Sequence, residues 1–167
     1  MKRIPSSLLP RRTLLAAGAL ALAGCGFKLR EAPVFSFKSI ALAGNSRFVN
    51  QVRRNLSTSG SVQLVPAADI TRAEAVLEIL AETRERAVMS TTAAGAVREL
   101  ALRLRVRFRL RAQDGKELLG STEIAQSRDI SYNETAALAK EGEEALLYRD
   151  MENDIAQQLL RRLAAVK

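Results

Sequence analysis

Arginine recurs at every second position in the stretch LALRLRVRFRLR, which runs from Leu100 to Arg111. Its five arginines, here called the arginine row, are Arg103, Arg105, Arg107, Arg109 and Arg111. Strict alternation over this length predicts a β-strand with apolar side chains on one face and guanidinium groups on the other, their Cα atoms about 6.7 Å apart. Guanidinium groups form bidentate pairs with phosphates and carboxylates. The arginine row is therefore either a solvated outer face or a surface that binds an anionic partner.

A second charged cluster begins at Lys140, on a segment with helical periodicity. Glu144 follows four residues later, a spacing that allows an ion pair on a helix surface. Glu141, Glu143 and Glu144 could be mistaken for the paired carboxylates of a glycoside hydrolase. Early in a helix, however, such acids are typical surface residues that complement the helix dipole. We therefore predict no catalytic role for them.

Histidine is absent and cysteine occurs once, at Cys25. These counts exclude Ser-His-Asp and Cys-His catalysis, metal sites built from His or Cys, and a disulfide within the chain. No glycine-rich phosphate loop is present either. We predict no catalytic residue, no metal site and no enzymatic activity.

The N-terminal 24 residues read as a secretory signal peptide, with a basic start, an apolar stretch and a small-residue cleavage site between Gly24 and Cys25. The preceding Leu22 and Ala23 complete the lipobox of bacterial lipoproteins. We predict that Cys25 carries an N-acyl chain and an S-diacylglycerol, with residues 25–33 as a lipidated tether. Three acyl chains are enough for a durable membrane anchor.

Two features of this region bear on export and sorting. The Arg11-Arg12 pair resembles a twin-arginine signal, but its surroundings fit general secretion better. Gly26 follows the lipidated cysteine in place of aspartate, which points to the outer membrane by the sorting rule known for bacterial lipoproteins.

The net charge of +8 and the isoelectric point near 10.4 suggest nucleic acid at first sight. Residues 1–24, however, hold four basic residues and no acidic one, so half of the net charge lies in the signal peptide. The remaining +4 is ordinary for a soluble domain. We therefore predict no nucleic-acid partner.

Residues 34–167 are expected to form a single domain that positions the arginine row. Apolar and alternating segments predict strands at 37–43, 62–65, 75–89, 100–111 and 117–130. A helix is predicted after Ser46, its N-cap, and before Gly60. A long helix follows from Glu143, with a shorter helical segment at 136–141 before a candidate break at Gly142. Its apolar stripe is Leu147, Met151, Ile155, Leu159 and Leu163, with Leu146, Leu160 and Val166 beside it.

The predicted fold class is α+β in the order β-α-β-β-β-α. Two helices pack on one face of a four-stranded mixed, largely antiparallel sheet. The even-numbered residues from Leu100 to Leu110 are expected to face the helices. The arginine row is then expected to face away, uncovered by anything else in the chain.

Three segments resemble the LptE family of lipopolysaccharide-assembly lipoproteins. They are the GCGFKLR segment from Gly24 to Arg30, the apolar-basic helix at 47–56, and the stretch from Arg128 to Leu163 with its ALAKE and LLRRL runs. Together they cover nearly all of residues 25–167 in the family's order. The chain ends at Lys167, soon after the last helix, whereas some members carry a long polar tail.

The resemblance implies a subunit that sits as a plug inside a large outer-membrane β-barrel, LptD, assists assembly of that barrel, and binds lipopolysaccharide. Lys140 falls at the basic position of the family's ALAK run. The candidate lipopolysaccharide contacts are therefore Lys140, Arg103, Arg105, Arg107 and Arg109.

Two other classes remain open. One is a periplasm-facing lipoprotein that binds another anionic glycan or lipid, and the other is a lipid-anchored enzyme, which the missing catalytic residue types disfavour.

Overall fold

A computed structural model describes residues 33–167 of the chain. The predicted signal peptide, Cys25 and all but the last residue of the predicted tether lie outside the described residues. Within 33–167, no helix is both long enough and apolar enough to cross a membrane.

The sheet has five strands, β1 (Ser39–Ala43), β2 (Gln63–Val65), β3 (Ala75–Thr91), β4 (Val97–Ala112) and β5 (Glu117–Ser131). Their order is β2-β1-β3-β4-β5, with β1 parallel to both of its neighbours and β3, β4 and β5 forming an antiparallel meander. The predicted total of four strands was wrong. The short segment β2 pairs with β1 as a strand of its own and completes a β-α-β-β-β-β-α order.

The first helix, α1 (Arg47–Ser59), begins and ends where its capping residues predict. The backbone N–H of Val49 donates a 3.0 Å hydrogen bond to Ser46 Oγ, which satisfies one of the free donors at the helix start. Gly60 ends the helix with a left-handed φ of 64°, a conformation that glycine adopts without steric cost. The buried stripe of α1 is Phe48, Val49, Val52 and Leu56, at the three- and four-residue spacing of one helix face.

The second helix, α2 (Ala137–Ala164), has 28 residues and is therefore about 42 Å long. The predicted break at Gly142 was wrong, because the helix runs through it. All eight buried residues of α2 lie from Tyr148 onward. The first three turns are mostly exposed, and Leu146, predicted beside the apolar stripe, is 58% exposed. Two short 3₁₀ helices, Ala67–Arg72 and Glu134–Ala136, complete the connections.

The hydrophobic core lies between the two helices and one face of the sheet. All six even-numbered side chains from Leu100 to Leu110 are at most 6% exposed, as the alternation predicts. Leu104 and Phe108 belong to the same core cluster as Ile155 and Leu159 of α2. The arginine row therefore lies on the face of the sheet opposite the helices.

A β-bulge at Leu80 changes which residues of β3 face the helices. Ile79 pairs with Phe108, whereas Ala81 pairs with Arg107, so Leu80 is an extra residue between two paired ones. Before the bulge the odd-numbered residues of β3 share the helix face. From Glu82 to Val88 the even-numbered residues share the helix face instead, and Glu85 lies on the face that carries the arginine row.

Candidate functional site

The candidate site is the face of the sheet that carries the arginine row, here called the arginine face. Arg103, Arg105 and Arg107 are exposed, and Arg109 and Arg111 are half-buried. No helix of the described chain packs on this face. The expectation that the row is uncovered nevertheless needs correction, because carboxylates of the neighbouring strand meet three of the five arginines.

Glu78 of β3 pairs with two arginines at one end of the row. Its Oε2 lies 2.5 Å from Arg109 Nε, and its Oε1 pairs with Arg111 Nη2. The Glu78 side chain is only 16% exposed. The Nε atom of Arg111 is covered from solvent and has no hydrogen-bond partner among the described residues, so a ligand cannot reach that donor.

The charge state of Glu78 follows from these neighbours. Burial alone raises the pKa of its carboxyl, but hydrogen bonds and positive charge from Arg109 and Arg111 outweigh burial. The pKa of Glu78 therefore lies below its ordinary value, and the group stays ionised at neutral pH. Both half-buried arginines are thus neutralised in part by one fixed carboxylate.

Glu85, further along β3, pairs with Arg105. Both side chains are more than one-third exposed, so this pair lies in solvent. Surface pairs of this kind are weak, about 0–1 kcal/mol. Arg105 is therefore held less firmly than Arg109 and Arg111.

Arg103 and Arg107 have no salt bridge or side-chain hydrogen bond within residues 33–167. Arg103 lies in register between Glu85 and Ser127, and Arg107 between Ala81 and Glu123. As far as residues 33–167 are concerned, these two guanidinium groups can meet an external anion without breaking an ion pair.

A shallow depression of about 330 Å³ opens on this part of the face. Its lining residues come from three neighbouring strands and are Glu85, Arg103, Arg105, Ala125, Gln126 and Ser127. The depression thus combines one unpaired guanidinium, one weakly paired guanidinium and small or polar side chains. Such a surface can receive an anionic head group but contains no nucleophile paired with a base.

Lys140 lies apart from the arginine row. Its Nζ is 2.8 Å from Glu143 Oε2 and 3.1 Å from Ser131 Oγ, and its side chain is 20% exposed. The ion pair with Glu144 that the i, i+4 spacing allows does not form, because Glu144 lies 3.5 Å from Arg86. Ser131 is four residues beyond Ser127 on β5, or about 13 Å. The structure therefore does not bring Lys140 into the depression.

Sequence reasoning also missed a charged cluster on the helix face. Glu152 of α2 is nearly buried and pairs with Arg84 of β3 and, at 3.6 Å, with Arg47 of α1. The Arg84 guanidinium also lies 5.0 Å from the ring centre of Tyr148. These contacts tie α1, α2 and β3 together, and the cluster is structural.

Tyr148, on the helix side of the sheet, contacts the backbone of a residue whose side chain lies on the arginine face. Its hydroxyl donates a 2.9 Å hydrogen bond to the backbone carbonyl of Glu85, and burial raises the pKa of this hydroxyl. The backbone at Glu85 is thus fixed from the helix side, while its carboxylate lies on the arginine face.

Several solved lipoproteins have this arrangement of sheet and helices. Uncharacterized lipoprotein B from Nitrosomonas europaea is 32% identical, with coverage of 84% of this chain and 91% of that chain and a TM-score of 0.71. Rare lipoprotein B from Shewanella oneidensis is 25% identical, with coverage of 77% and 95% and a TM-score of 0.66. A minor lipoprotein from Acinetobacter baumannii is 25% identical, with coverage of 78% and 93% and a TM-score of 0.64. These likenesses define the class, a lipoprotein domain with two helices on one face of a mixed sheet.

The family follows from a direct match. The model of the LptE family, described as lipopolysaccharide-assembly, matches residues 37–163. The chain belongs to the LptE family, which confirms the resemblance carried by the ALAKE and LLRRL runs. Members of this family are outer-membrane lipoproteins with a role in lipopolysaccharide assembly, and the family is not known for enzymes. A comparison with curated proteins found no match.

Proposed function

We propose that this protein is the lipid-anchored subunit of a lipopolysaccharide translocon, in which it binds lipopolysaccharide and associates with the β-barrel LptD. Family membership over residues 37–163 supports the role in assembly. In this proposal the domain plugs the lumen of the barrel and helps the barrel to assemble. It has no catalytic step.

The observation that carries lipopolysaccharide binding is the arginine face. A long strand presents guanidinium groups on a sheet surface that no helix of residues 33–167 covers, and two of them lack an internal partner. Lipopolysaccharide offers phosphates on lipid A and carboxylates on its inner-core sugars. Charge-assisted hydrogen bonds to such groups contribute about 1.5–3 kcal/mol each, and less where water screens them.

Anchoring belongs to Cys25, in the proposed lipobox. Signal-peptide cleavage before Cys25, followed by attachment of diacylglycerol and an N-acyl chain, would hold the domain at the outer membrane. Replacing Cys25 with Ala should leave an unacylated precursor. Incorporation of labelled palmitate into that variant would refute this part of the proposal.

Association with the barrel is tested by affinity purification of the full-length, acylated chain from detergent-solubilised outer membranes. The expected result is co-purification of a large β-barrel, identified by mass spectrometry, together with bound lipopolysaccharide. If no barrel appears at any detergent strength that preserves other outer-membrane complexes, the translocon assignment is wrong.

The arginine face also fits a second candidate, a lipoprotein that binds another anionic glycan or lipid, because guanidinium groups recognise phosphate or carboxylate whatever molecule carries it. The two candidates predict different results in a competition experiment. Purified lipopolysaccharide should displace a fluorescent lipid A from the acylated protein at lower concentration than cardiolipin or an acidic polysaccharide does. The reverse order would favour the second candidate.

A further inference from the structure

The two edges of the sheet are protected to different degrees. The edge strand β2 has only three residues, whereas the edge strand β5 has fifteen and contains neither proline nor lysine. A long edge presents unpaired N–H and C=O groups that another chain can join, and short strands, prolines and lysines are common devices against such pairing. Within residues 33–167, the edge of β5 is therefore the part of the sheet most open to the addition of a strand.

The direction of the β5 backbone groups follows from its pairing with β4. The N–H of Tyr132 donates a 2.8 Å hydrogen bond to the carbonyl of Arg98, and the register with β4 has no shift from Thr122 to Ser131. In an antiparallel ladder both backbone groups of a residue point to the same side, and that side alternates along the strand. The even-numbered residues therefore bond to β4, and the odd-numbered residues from Glu123 to Ser131 direct their N–H and C=O groups to the free edge.

Two arginines occupy carbonyls on this free edge. Arg162 of α2 donates a 3.2 Å hydrogen bond from Nη1 to the carbonyl of Glu123. Arg128 donates a 3.0 Å hydrogen bond from Nη1 to the carbonyl of Ser127, and its Nη2 lies 2.8 Å from Oδ2 of Asp154 on α2. Both guanidinium groups, here called the edge guards, are thus tied to α2 and cover acceptors that an added strand would need.

We infer that the free edge of β5 is a pairing surface for a second copy of this chain, and that the edge guards keep this surface closed. The occupant is a second copy because β5 is complementary to itself in antiparallel pairing centred on Ser127. The opposing residues are then Ile124 with Ile130, Ala125 with Asp129, Gln126 with Arg128, and Glu123 with Ser131. No like charges oppose each other, and the regular part of β5 is used in full. This surface is independent of the proposed function, because it requires neither lipopolysaccharide nor a barrel.

Other registers of self-pairing are less favourable. Pairing centred on Gln126 places Glu123 opposite Asp129, and pairing centred on Arg128 places that arginine opposite its own counterpart. Like charges directly opposite each other destabilise a sheet. Pairing centred on Ser127 avoids both conflicts, but it needs the carbonyls of Glu123 and Ser127 as acceptors for the second copy. The edge guards occupy these two carbonyls and therefore oppose the favourable register directly.

The experiment measures disulfide cross-linking of the full-length, acylated protein carrying Ser127→Cys, in neutral detergent with micelles in excess, under mild oxidation. In the proposed register the two Cα atoms at this position lie about 5.5 Å apart, within the span of a disulfide. The guard-deficient double variant Arg128→Thr with Arg162→Ala should cross-link at least about tenfold faster, because each copy then has two more free acceptors. Without the added cysteine, the mass of the same double variant by light scattering should rise toward that of a dimer with concentration.

Two controls separate this register from other kinds of association. Asp129→Cys lies on the same edge but about 13 Å along the strand from its counterpart, so removal of the guards should accelerate its cross-linking less than about twofold. The double variant Arg149→Ala with Arg161→Ala removes the same charge from exposed positions of α2. It should leave the cross-linking rate of Ser127→Cys unchanged.

A third variant covers loss of folding in the guard-deficient double, as judged by circular dichroism. Asp154→Asn weakens the hold of α2 on Arg128 without changing β5, and it should accelerate cross-linking of Ser127→Cys by about twofold to fivefold.

Distinct results overturn distinct claims. Equal acceleration at positions 127 and 129 would mean non-specific association. A monomeric mass and unchanged cross-linking of the guard-deficient variant would mean that the edge does not pair with itself. Either result overturns the pairing surface. Equally fast cross-linking at position 127 with both guards in place would overturn the role of Arg128 and Arg162 as guards.

Discussion

The two faces of β4 differ in what they contribute to the protein. On one face six apolar side chains are at most 6% exposed and pack beneath the helices. On the other face, the arginines at every second position of β4 lie in solvent or against carboxylates of β3. Burial of apolar area drives folding, whereas exposed ion pairs add little to it. If the arginine face binds lipopolysaccharide as proposed, the alternation of one strand separates stability from recognition, and each can change without the other.

The largest difference in stability between the two faces of β4 is expected for its neighbouring residues Leu104 and Arg105. Leu104→Ala should lower the free energy of unfolding by about 2–5 kcal/mol, because it leaves a cavity in the core. Arg105→Ala should lower it by less than about 1 kcal/mol. Urea denaturation followed by circular dichroism provides both values. Equal losses would mean that β4 is buried on both faces.

A smaller difference is expected between two glutamates that each pair with arginine on opposite sides of the sheet. Glu152→Gln should lower the free energy of unfolding by about 1–3 kcal/mol, because Arg47 and Arg84 lose a nearly buried partner. Glu85→Gln should change it by about 0–1 kcal/mol. Thermal melts of the two variants, compared at equal ionic strength, check the order. A larger loss for Glu85 would contradict the assignment of the arginine face to recognition.

The smallest effect is a pH dependence carried by Glu78. Its pKa in the folded chain lies below the ordinary value of 4.5, so the folded state binds the proton less readily than the unfolded state does. The stabilising contribution is present above pH 4.5 and is lost as pH falls through the lower, folded-state value. The melting temperature of Glu78→Gln should therefore fall less steeply between pH 5 and pH 3 than that of the unmodified chain. Parallel curves would mean that Glu78 is not effectively paired.

Local patterns in the sequence predicted much of the fold. The alternation from Leu100 to Leu110 identifies a strand and its buried face, because side chains on a strand have a period of two. The capping residues Ser46 and Gly60 locate both ends of α1, because their side chain and backbone act within the turn where they occur. These signals need no information from distant parts of the chain.

Other features depend on pairing between distant segments. The pattern at 62–65 predicted an extended segment, but its place in the sheet is defined by pairing with β1. The predicted sheet was therefore one strand short. The acids that meet the arginine row could not be assigned, because the bulge at Leu80 determines which side of β3 Glu85 occupies. A glycine inside a helix costs only about 1 kcal/mol, and burial of later residues of α2 offsets this at Gly142. Local propensity therefore did not predict the continuous helix.

The extra residue at Leu80 has a consequence for insertions and deletions. Removing Leu80 would join Ile79 directly to Ala81, which already occupy consecutive positions opposite Phe108 and Arg107. The remaining residues would keep their partners, so a chain one residue shorter here could build the same sheet. Removal of Thr83 would instead shift every later residue of β3 by one position and invert its facing. The β3–β4 hairpin thus tolerates the loss of Leu80, because the irregularity is already there.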